Sequence, residues 1–275
     1  MRRAYKSVLP GTQPGFTLVE LVVVIAVMGI LGGMSMIFIQ RVVQGYANSE
    51  TYFQLVDMSD NALRRIKRDI RNAVPNSVRI SANGQIIEFL PITHGGRYRN
   101  GTTSTGAGNP LDFATSNDTF DVLGPPVPNV SAGDGLVIYN MGIAGADVYN
   151  GDDYRSLTSL GPNQSQLTFS GLPFPYVSPG RRFYVVSTAA LYVCDLATGR
   201  LLMYTGYPVV AGLPASVADL AAYTPHVISE FVSECRFSLD NGVMEHSGVL
   251  SVNLRLLRNG AMIRLFHMID LVNSA

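Results

Sequence analysis

The residues most suggestive of chemistry lie at one short junction near the N-terminus, in the run Gly15-Phe16-Thr17-Leu18-Val19-Glu20. A small residue precedes an aromatic residue, and an acid follows the glycine by five positions. Cleavage between Gly15 and Phe16 would create a new amino group at the start of an apolar run. A carboxylate in hydrocarbon is costly unless it is paired or neutralised. The spacing therefore predicts that the new amine of one subunit pairs with Glu20 of a neighbouring subunit.

The rest of the chain offers little for catalysis or for a cofactor. It contains no nucleophile elbow, no P-loop and no dinucleotide fingerprint. The histidines lack the i, i+4 spacing suited to zinc, and His267 falls within an apolar predicted strand. Three aspartates on a polar segment could bind calcium in principle, but they lack the EF-hand spacing and are more simply solvated. We predict no enzyme activity, no cofactor and no metal site from these candidates, which are His94, His226, His246, His267, Asp147, Asp152 and Asp153.

The two cysteines, Cys194 and Cys235, both fall in predicted strands of a region that we expect to be exported. An oxidising periplasm favours a disulfide, and closing this loop would contribute on the order of 4 kcal/mol to stability. Two buried free thiols are the alternative. Neither cysteine has the C-x-x-C spacing of a metal or redox site.

A membrane segment must position the junction. Residues 1–15 are polar and carry three basic residues without an acid, whereas residues 16–39 are almost wholly apolar, with Glu20 as their only ionisable group. Residues 21–39 are uncharged and span about 28 Å as a helix, close to the thickness of a hydrocarbon core. The positive-inside rule keeps the first residues cytoplasmic and sends the remainder outward. A simple uncleaved anchor is the plain alternative, since no small-x-small cleavage site follows the apolar run.

The helical pattern continues beyond the membrane segment. Proline is absent from residues 16–74, and Pro75 predicts the end of the helix. We expect a filament-core helix over residues 16–40 and an amphipathic helix over residues 41–74, whose apolar stripe packs on a sheet. The first half would lie in lipid before assembly and among neighbouring helices afterwards. Gly29 and Gly33 form a G-x-x-x-G pattern that permits close helix contact. The stripe comprises Ala62 or Leu63, Ile66, Ile70 and Val74.

Charge argues against a nucleic-acid binder. The chain of 275 residues has 20 basic and 20 acidic side chains, and loss of residues 1–15 leaves 17 basic groups. Arg64, Arg68 and Arg71 share one helix face, which we interpret as a solvated face or a subunit contact. Only 15 % of residues are charged and 47 % are hydrophobic, which excludes a disordered or coiled-coil protein.

Residues 75–275 are predicted to form a β-rich head, so the fold class is α+β. Asn83-Gly84, Asn241-Gly242 and Asn259-Gly260 mark hairpins, and alternating apolar residues mark a half-buried strand over 248–257. Polar loops are expected at 101–117 and 145–156, with one helical turn at 215–222. We predict no internal repeat and no second hydrophobic domain. The other predicted strands are 78–81, 85–90, 119–123, 135–139, 166–169, a meander over 181–188, 190–195 and 199–204, then 228–239 and 262–272.

The N-terminal run resembles the type IV prepilin signature, and the predicted architecture is that of the type IV pilin fold. The resemblance implies cleavage after Gly15 by an aspartyl prepilin peptidase and N-methylation of Phe16. Pro14 departs from the basic or polar residue common in such leaders, but the required Gly15 is present.

Further motifs resemble the MshO family of minor pilins, which belongs to biogenesis of the mannose-sensitive haemagglutinin (MSHA) type IV pilus. The family implies a low-abundance subunit that initiates or caps the pilus with other minor pilins, the major pilin and the inner-membrane assembly platform. Type II secretion pseudopilins of the J kind share the layout, and a tip adhesin using loops 94–118 and 145–156 is a further alternative. The motifs are RIKRDIRNAVPNSVRI (65–80), Val193-Cys194-Asp195, Gly199-Arg200-Leu201-Leu202, Tyr204-x-Gly206-Tyr207 and Cys235-Arg236-Phe237.

Overall fold

A computed structural model describes residue 15 and residues 17–116, 118–240 and 248–271. The chain divides into two compact units, residues 1–51 and residues 52–275. One helix, α1 (Leu18–Arg71), contains 54 residues and begins after Thr17. Sixteen strands and two short 3-10 helices, Val148–Asn150 and Val217–Leu220, follow it.

The strands are short in the first part of the head and long in the last part. The helical turn expected at 215–222 is confirmed by the second 3-10 helix. The strands are β1 (Arg79–Ile80), β2 (Ile86–Phe89), β3 (His94–Tyr98), β4 (Thr119–Leu123), β5 (Val127–Val130), β6 (Gly135–Val137), β7 (Tyr154–Leu157), β8 (Gly161–Gln164), β9 (Gln166–Ser170), β10 (Arg182–Val186), β11 (Ala189–Asp195), β12 (Arg200–Tyr207), β13 (His226–Ser229), β14 (Val232–Asp240), β15 (Val249–Arg258) and β16 (Ala261–Asp270).

The end of α1 differs slightly from the prediction. The helix ends at Arg71 rather than at Val74. Ala73 instead forms an isolated bridge with Pro91, and the N–H of Val74 donates to the carbonyl of Leu90 at 2.8 Å. Backbone pairing with the chain that leaves β2 thus replaces the last helical turn before Pro75.

The second half of α1 packs on antiparallel sheets. One sheet has the order β1-β2-β11-β12-β13 and a second has the order β14-β15-β16. The predicted helix stripe is buried in a core shared with both sheets. The predicted alternation along β15 is confirmed, because Leu250, Val252, Leu254 and Leu256 are buried and the residues between them are partly exposed. The α+β class predicted from the sequence is confirmed. The stripe residues in this core are Ala62, Leu63, Ile66 and Ile70, whereas Val74 follows the end of α1 and is buried in a separate cluster with Leu90.

A closed six-stranded barrel forms a second core, which the sequence analysis did not predict. Its strands run in the order β10-β3-β4-β9-β7-β6. Each strand contributes only one or two buried large apolar residues to this core, and each is five residues long or shorter, so that no long periodic pattern marks the barrel in the sequence. The predicted meander over 181–204 is wrong in its first step, because β10 pairs with β3 and β6 while β11 pairs with β2 and β12. The largest aromatic residues buried in this core are Tyr98, Phe120, Phe169, Phe174 and Phe183.

The hairpin predictions fall into two groups. Asn83-Gly84 lies in the turn between β1 and β2. Asn259-Gly260 forms the turn between β15 and β16, with φ of 50° at Asn259 and 81° at Gly260, and these two strands pair over ten residues each. Both predictions are confirmed, whereas Asn241-Gly242 lies outside the described residues. The 94–118 segment is not wholly a loop, since it begins with β3. The 145–156 segment is not wholly a loop either. It contains a 3-10 turn, which the Asp147 side chain caps by accepting from the N–H of Tyr149, and the start of β7.

Candidate functional site

The N-terminal junction opens directly into α1. The N–H of Glu20 donates to Oγ1 of Thr17 at 3.3 Å, and the N–H of Leu21 donates to the Thr17 carbonyl at 3.2 Å. Thr17 is therefore the cap of α1, a role that the sequence analysis missed. The T-x-x-E spacing of Thr17 and Glu20 is the signal that could have revealed it. Phe16 lies outside the described residues.

No contact or backbone conformation within the described residues requires a glycine at position 15. A Cβ atom on Gly15 would meet no heavy atom within 4 Å, and the residue does not adopt a positive φ. Neither crowding nor backbone conformation therefore requires glycine there.

Glu20 is exposed in the first turn of α1. No cation forms an ion pair with it among the residues that the structure describes. A carboxylate near a helix N-terminus interacts favourably with the backbone N–H groups that remain unpaired there. That interaction leaves its oxygen atoms available to a partner outside the chain.

The apolar segment that follows has no cover from its own chain. Its large apolar side chains are exposed from Leu18 to Val43, by 43 % at Val24 and by 79 % at Leu18. By length and composition α1 can cross a membrane, and the apolar window that qualifies it is wholly unburied. An exposed apolar surface of this extent marks contact with a membrane or with other protein. The helix thus suits membrane anchoring.

Gly29 and Gly33 lie in this segment, and a Cβ atom on either would meet no atom within 4 Å. Packing inside the chain therefore does not require a small residue at either position. Residues four apart share one helix face, so the pair leaves a shallow strip where a second helix could approach.

Polar contacts bind the second half of α1 to the sheet. The Tyr192 hydroxyl on β11 donates to Oδ2 of Asp69 at 2.6 Å, and Arg65 reaches Sδ of Met203 on β12 at 3.2 Å. Burial raises the pKa of Tyr192, and the neighbouring Asp69 carboxylate raises it further. These long-range partners could not be predicted from local spacing.

A second set of polar contacts connects Arg79 of β1 to Glu88 of β2 and to Tyr149 of the first 3-10 helix. Arg79 pairs with the buried Glu88 at 2.6 Å, and its guanidinium lies 3.5 Å from the centre of the Tyr149 ring. The Tyr149 hydroxyl donates to the Ser77 carbonyl at 2.7 Å. Burial raises the pKa of Glu88, while the Arg79 cation acts in the opposite direction. Arg79 thus connects the Glu88 carboxylate of β2 to the ring of Tyr149.

The predicted disulfide is present. Cys194 on β11 is bonded to Cys235 on β14, with the two Cα atoms 5.7 Å apart and 41 positions apart in the chain. Both residues are buried in the core beneath α1. The bond therefore ties the five-stranded sheet to the three-stranded sheet.

Loss of this bond should destabilise the head. Cys235→Ser is expected to lower the free energy of unfolding by about 4 kcal/mol, because the unfolded chain regains the entropy of an open loop. Denaturant unfolding of the full chain in detergent, followed by circular dichroism, measures the change. A reducing agent should destabilise the unsubstituted protein similarly and leave the variant unaffected. An unchanged unfolding midpoint in the variant would contradict this expectation.

The three aspartates considered for calcium have separate structural roles. Asp147 caps a 3-10 turn, and Oδ2 of Asp152 accepts from the N–H groups of Gly145 and Asp147 at 3.0 and 3.2 Å. Asp153 is fully buried. Within the described residues no three histidine, cysteine or acidic side chains form a group that could hold a metal.

Asp153 makes the stability of the head dependent on pH. The pKa of its carboxyl group is raised from 3.8 to about 7, mainly by burial; the Asp147 and Asp152 charges add to the rise, and a hydrogen bond to its own backbone and the Arg155 charge oppose it. Between about pH 4 and pH 7 the folded chain holds a proton that the unfolded chain releases. The free energy of unfolding contributed by Asp153 therefore falls as pH rises, by on the order of 4 kcal/mol across this range.

The variant Asp153→Asn should remove this dependence. We expect the unsubstituted protein to lose more stability than the variant between pH 5 and pH 8, as measured by denaturant unfolding at both values. Asp57→Asn, which changes an exposed carboxylate on α1, controls for the change in net charge. Parallel pH profiles for the Asp153 variant and the unsubstituted chain would refute the assignment.

Comparison with known proteins identifies one feature. Residues 12–36 match the family model described as "Prokaryotic N-terminal methylation motif". The match covers the junction, Glu20 and both glycines of the G-x-x-x-G pattern. No curated protein and no solved structure matches the chain significantly.

Proposed function

We propose that this chain, which carries the N-terminal methylation motif of type IV pilin-like proteins, is a minor pilin that helps to initiate or cap a type IV pilus. The observation that carries the proposal is the position of the motif at the start of a helix whose large apolar side chains are left exposed from Leu18 to Val43. Such a helix needs lipid before assembly and other helices after it. The motif indicates a structural subunit rather than an enzyme.

The mechanism is non-enzymatic. Prepilin peptidase removes residues 1–15 and the new amino group of Phe16 is methylated. The freedom of Gly15 from any packing constraint supports a requirement imposed by the peptidase. Glu20 of one subunit then pairs with the amine of an adjacent subunit. This pairing neutralises two charges that would otherwise be costly inside an apolar bundle.

The proposed location follows from the same segment. The apolar helix anchors the precursor in the inner membrane, and the head lies in the periplasm until the subunit enters the filament. Gly29 and Gly33 allow a neighbouring helix to approach closely. The partners are prepilin peptidase, the inner-membrane assembly platform, the major pilin and other minor pilins.

The MSHA pilus is the specific filament that we propose. Support comes from the resemblance of residues 65–80, 193–207 and 235–237 to the MshO family. The second and third of these segments contain the two cysteines of the disulfide, and the first contains the Asp69 that binds Tyr192. All three segments thus contribute residues to the core between α1 and the sheets of the head.

Deletion of the gene tests the proposal. Cells of the deletion strain and of a complemented strain are sheared, and the major pilin in the sheared fraction is quantified. Loss of surface filaments that complementation restores is the expected result. Normal filaments would contradict a role in initiation and would favour a type II secretion pseudopilin or a tip adhesin.

A further inference from the structure

A groove runs between α1 and the last strand, β16. It has a volume of about 680 Å³. Four cations of α1 form one wall, and Leu265, Phe266 and His267 of β16 contribute to the other. We call this surface the edge groove. The cations are Arg64, Lys67, Arg68 and Arg71.

β16 is an edge strand with an open outer side. It pairs with β15 through all ten of its residues, and within the described parts of the chain its outer side receives no backbone hydrogen bond. The opposite edge of the same sheet is occupied. There β14 donates from Phe237 to the Gly84 carbonyl at 2.7 Å and from Val232 to the Gly199 carbonyl at 2.9 Å. A free edge of ten residues is a template for another strand.

The charge of the edge groove is strongly positive. Asp60 is its only acidic lining residue, against the four cations. Asp60 pairs with Arg64 at 2.6 Å, and Arg68 lies 3.2 Å from Asp69. Lys67 and Arg71 have no acidic partner among the described residues. Lys67 and Arg71 are therefore available to pair with an acidic ligand in this groove.

The alternation of β16 determines which side of a bound strand meets these cations. Ile263 and Ile269 point into the core beneath α1, whereas Met262, Phe266 and Met268 are 50 %, 60 % and 60 % exposed on the other face. That face also carries Arg264, which pairs with Glu234, and Asp270 at the end of the strand. A strand added beside β16 continues the same alternation. Its inward side chains face the cations of α1, and its outward side chains lie beside the exposed apolar row.

We propose that β16 and the edge groove bind an extended acidic strand from a different protein subunit by β-augmentation. Acidic residues at every second position of the bound strand face Lys67 and Arg71, and apolar residues between them cover Phe266 and its neighbours. Backbone pairing provides affinity, and the charged groove selects the partner. That this partner is another pilin-type subunit rests on the function proposed above.

Photo-crosslinking in cells that assemble the filament tests this docking. The photoreactive residue p-benzoylphenylalanine replaces Phe266 in the full-length chain, and a control chain carries it at Leu172, which is exposed on a segment beside the barrel. We expect light to produce an adduct with a partner protein when the photoreactive residue is at position 266. We expect no adduct with that partner when it is at position 172. Sequencing of the crosslinked peptide should show acidic residues alternating with apolar residues.

Charge reversal provides the second arm. The double variant Lys67→Glu, Arg71→Glu should lower the yield of the adduct by roughly tenfold, because like charges would then face each other. Arg97→Glu, on the barrel strand β3, is a control for charge reversal away from the groove and should leave the yield unchanged. An undiminished yield in the double variant would overturn the electrostatic assignment.

Other products of the crosslinking would overturn the proposal. These are no adduct, an adduct with a second copy of this chain, an adduct with phospholipid, or a peptide without the acidic alternation. Mass analysis of N-terminal processing and recovery in sheared filaments are read in the same cells. A processed, incorporated subunit without the adduct defeats only the docking proposal, whereas an unprocessed subunit defeats the proposed function.

Discussion

The variant Gly15→Val is expected to remain at its precursor mass, with no detectable mature form in the membrane fraction. A peptidase that is specific for glycine leaves no room for a side chain before the cleaved bond. Valine would place a branched side chain there. The chain itself tolerates a side chain here, since a Cβ atom would meet nothing within 4 Å. A failure of processing therefore cannot be attributed to misfolding.

Intact-mass measurement of the purified subunit distinguishes the two forms. The mature protein should be lighter by residues 1–15 and heavier by one methyl group on Phe16. Gly45→Val is the matched control, because Gly45 also lies in open surroundings but is remote from the junction. The control should be processed normally. A mature mass in the Gly15 variant would count against the prepilin interpretation.

The variant Glu20→Ala is expected to be cleaved and methylated normally but to enter filaments at least about tenfold less well. Removal of one member of a buried charge pair leaves the other uncompensated, at a cost of roughly 3–5 kcal/mol. The N-terminal amine of the adjacent subunit would be the charge left unpaired. Folding should be unaffected, since the start of α1 is capped by the Thr17 side chain and Glu20 contributes only its backbone N–H to that contact.

Incorporation is measured as the ratio of subunit in sheared filaments to subunit in membranes. Asp57→Ala, which removes an exposed carboxylate from a later turn of the same helix, should leave this ratio unchanged. The mass of the Glu20 variant reports its processing independently. Normal incorporation of that variant would refute the pairing mechanism.

The elements predicted correctly are those that depend on neighbouring residues in the chain. The absence of proline and the spacing of Ile66 and Ile70 predicted the helix and its buried stripe. Asn83-Gly84 and Asn259-Gly260 predicted hairpins, because those residues adopt the backbone conformations that tight turns require. Alternation along residues 248–257 predicted the half-buried strand β15.

The features that were not predicted depend on contacts between residues far apart in the sequence. The barrel pairs β3 with β10 across more than eighty residues, and its strands are too short to show a period. The burial of Asp153 could not be inferred from an acidic loop, because solvated and buried aspartates look the same in a polar stretch. The contact between Tyr192 and Asp69 likewise joins a strand to a helix across 123 positions.

The candidate sites divide in the same way. The sequence by itself determined the N-terminal methylation motif, the apolar segment and the two cysteines, because these depend on residue type and local spacing. Only the tertiary structure decided that the cysteines are bonded, that β16 has an open edge and that the cations of α1 lie beside it. The physical reason is that local spacing determines which face of an element a side chain occupies, whereas long-range packing determines what that face meets.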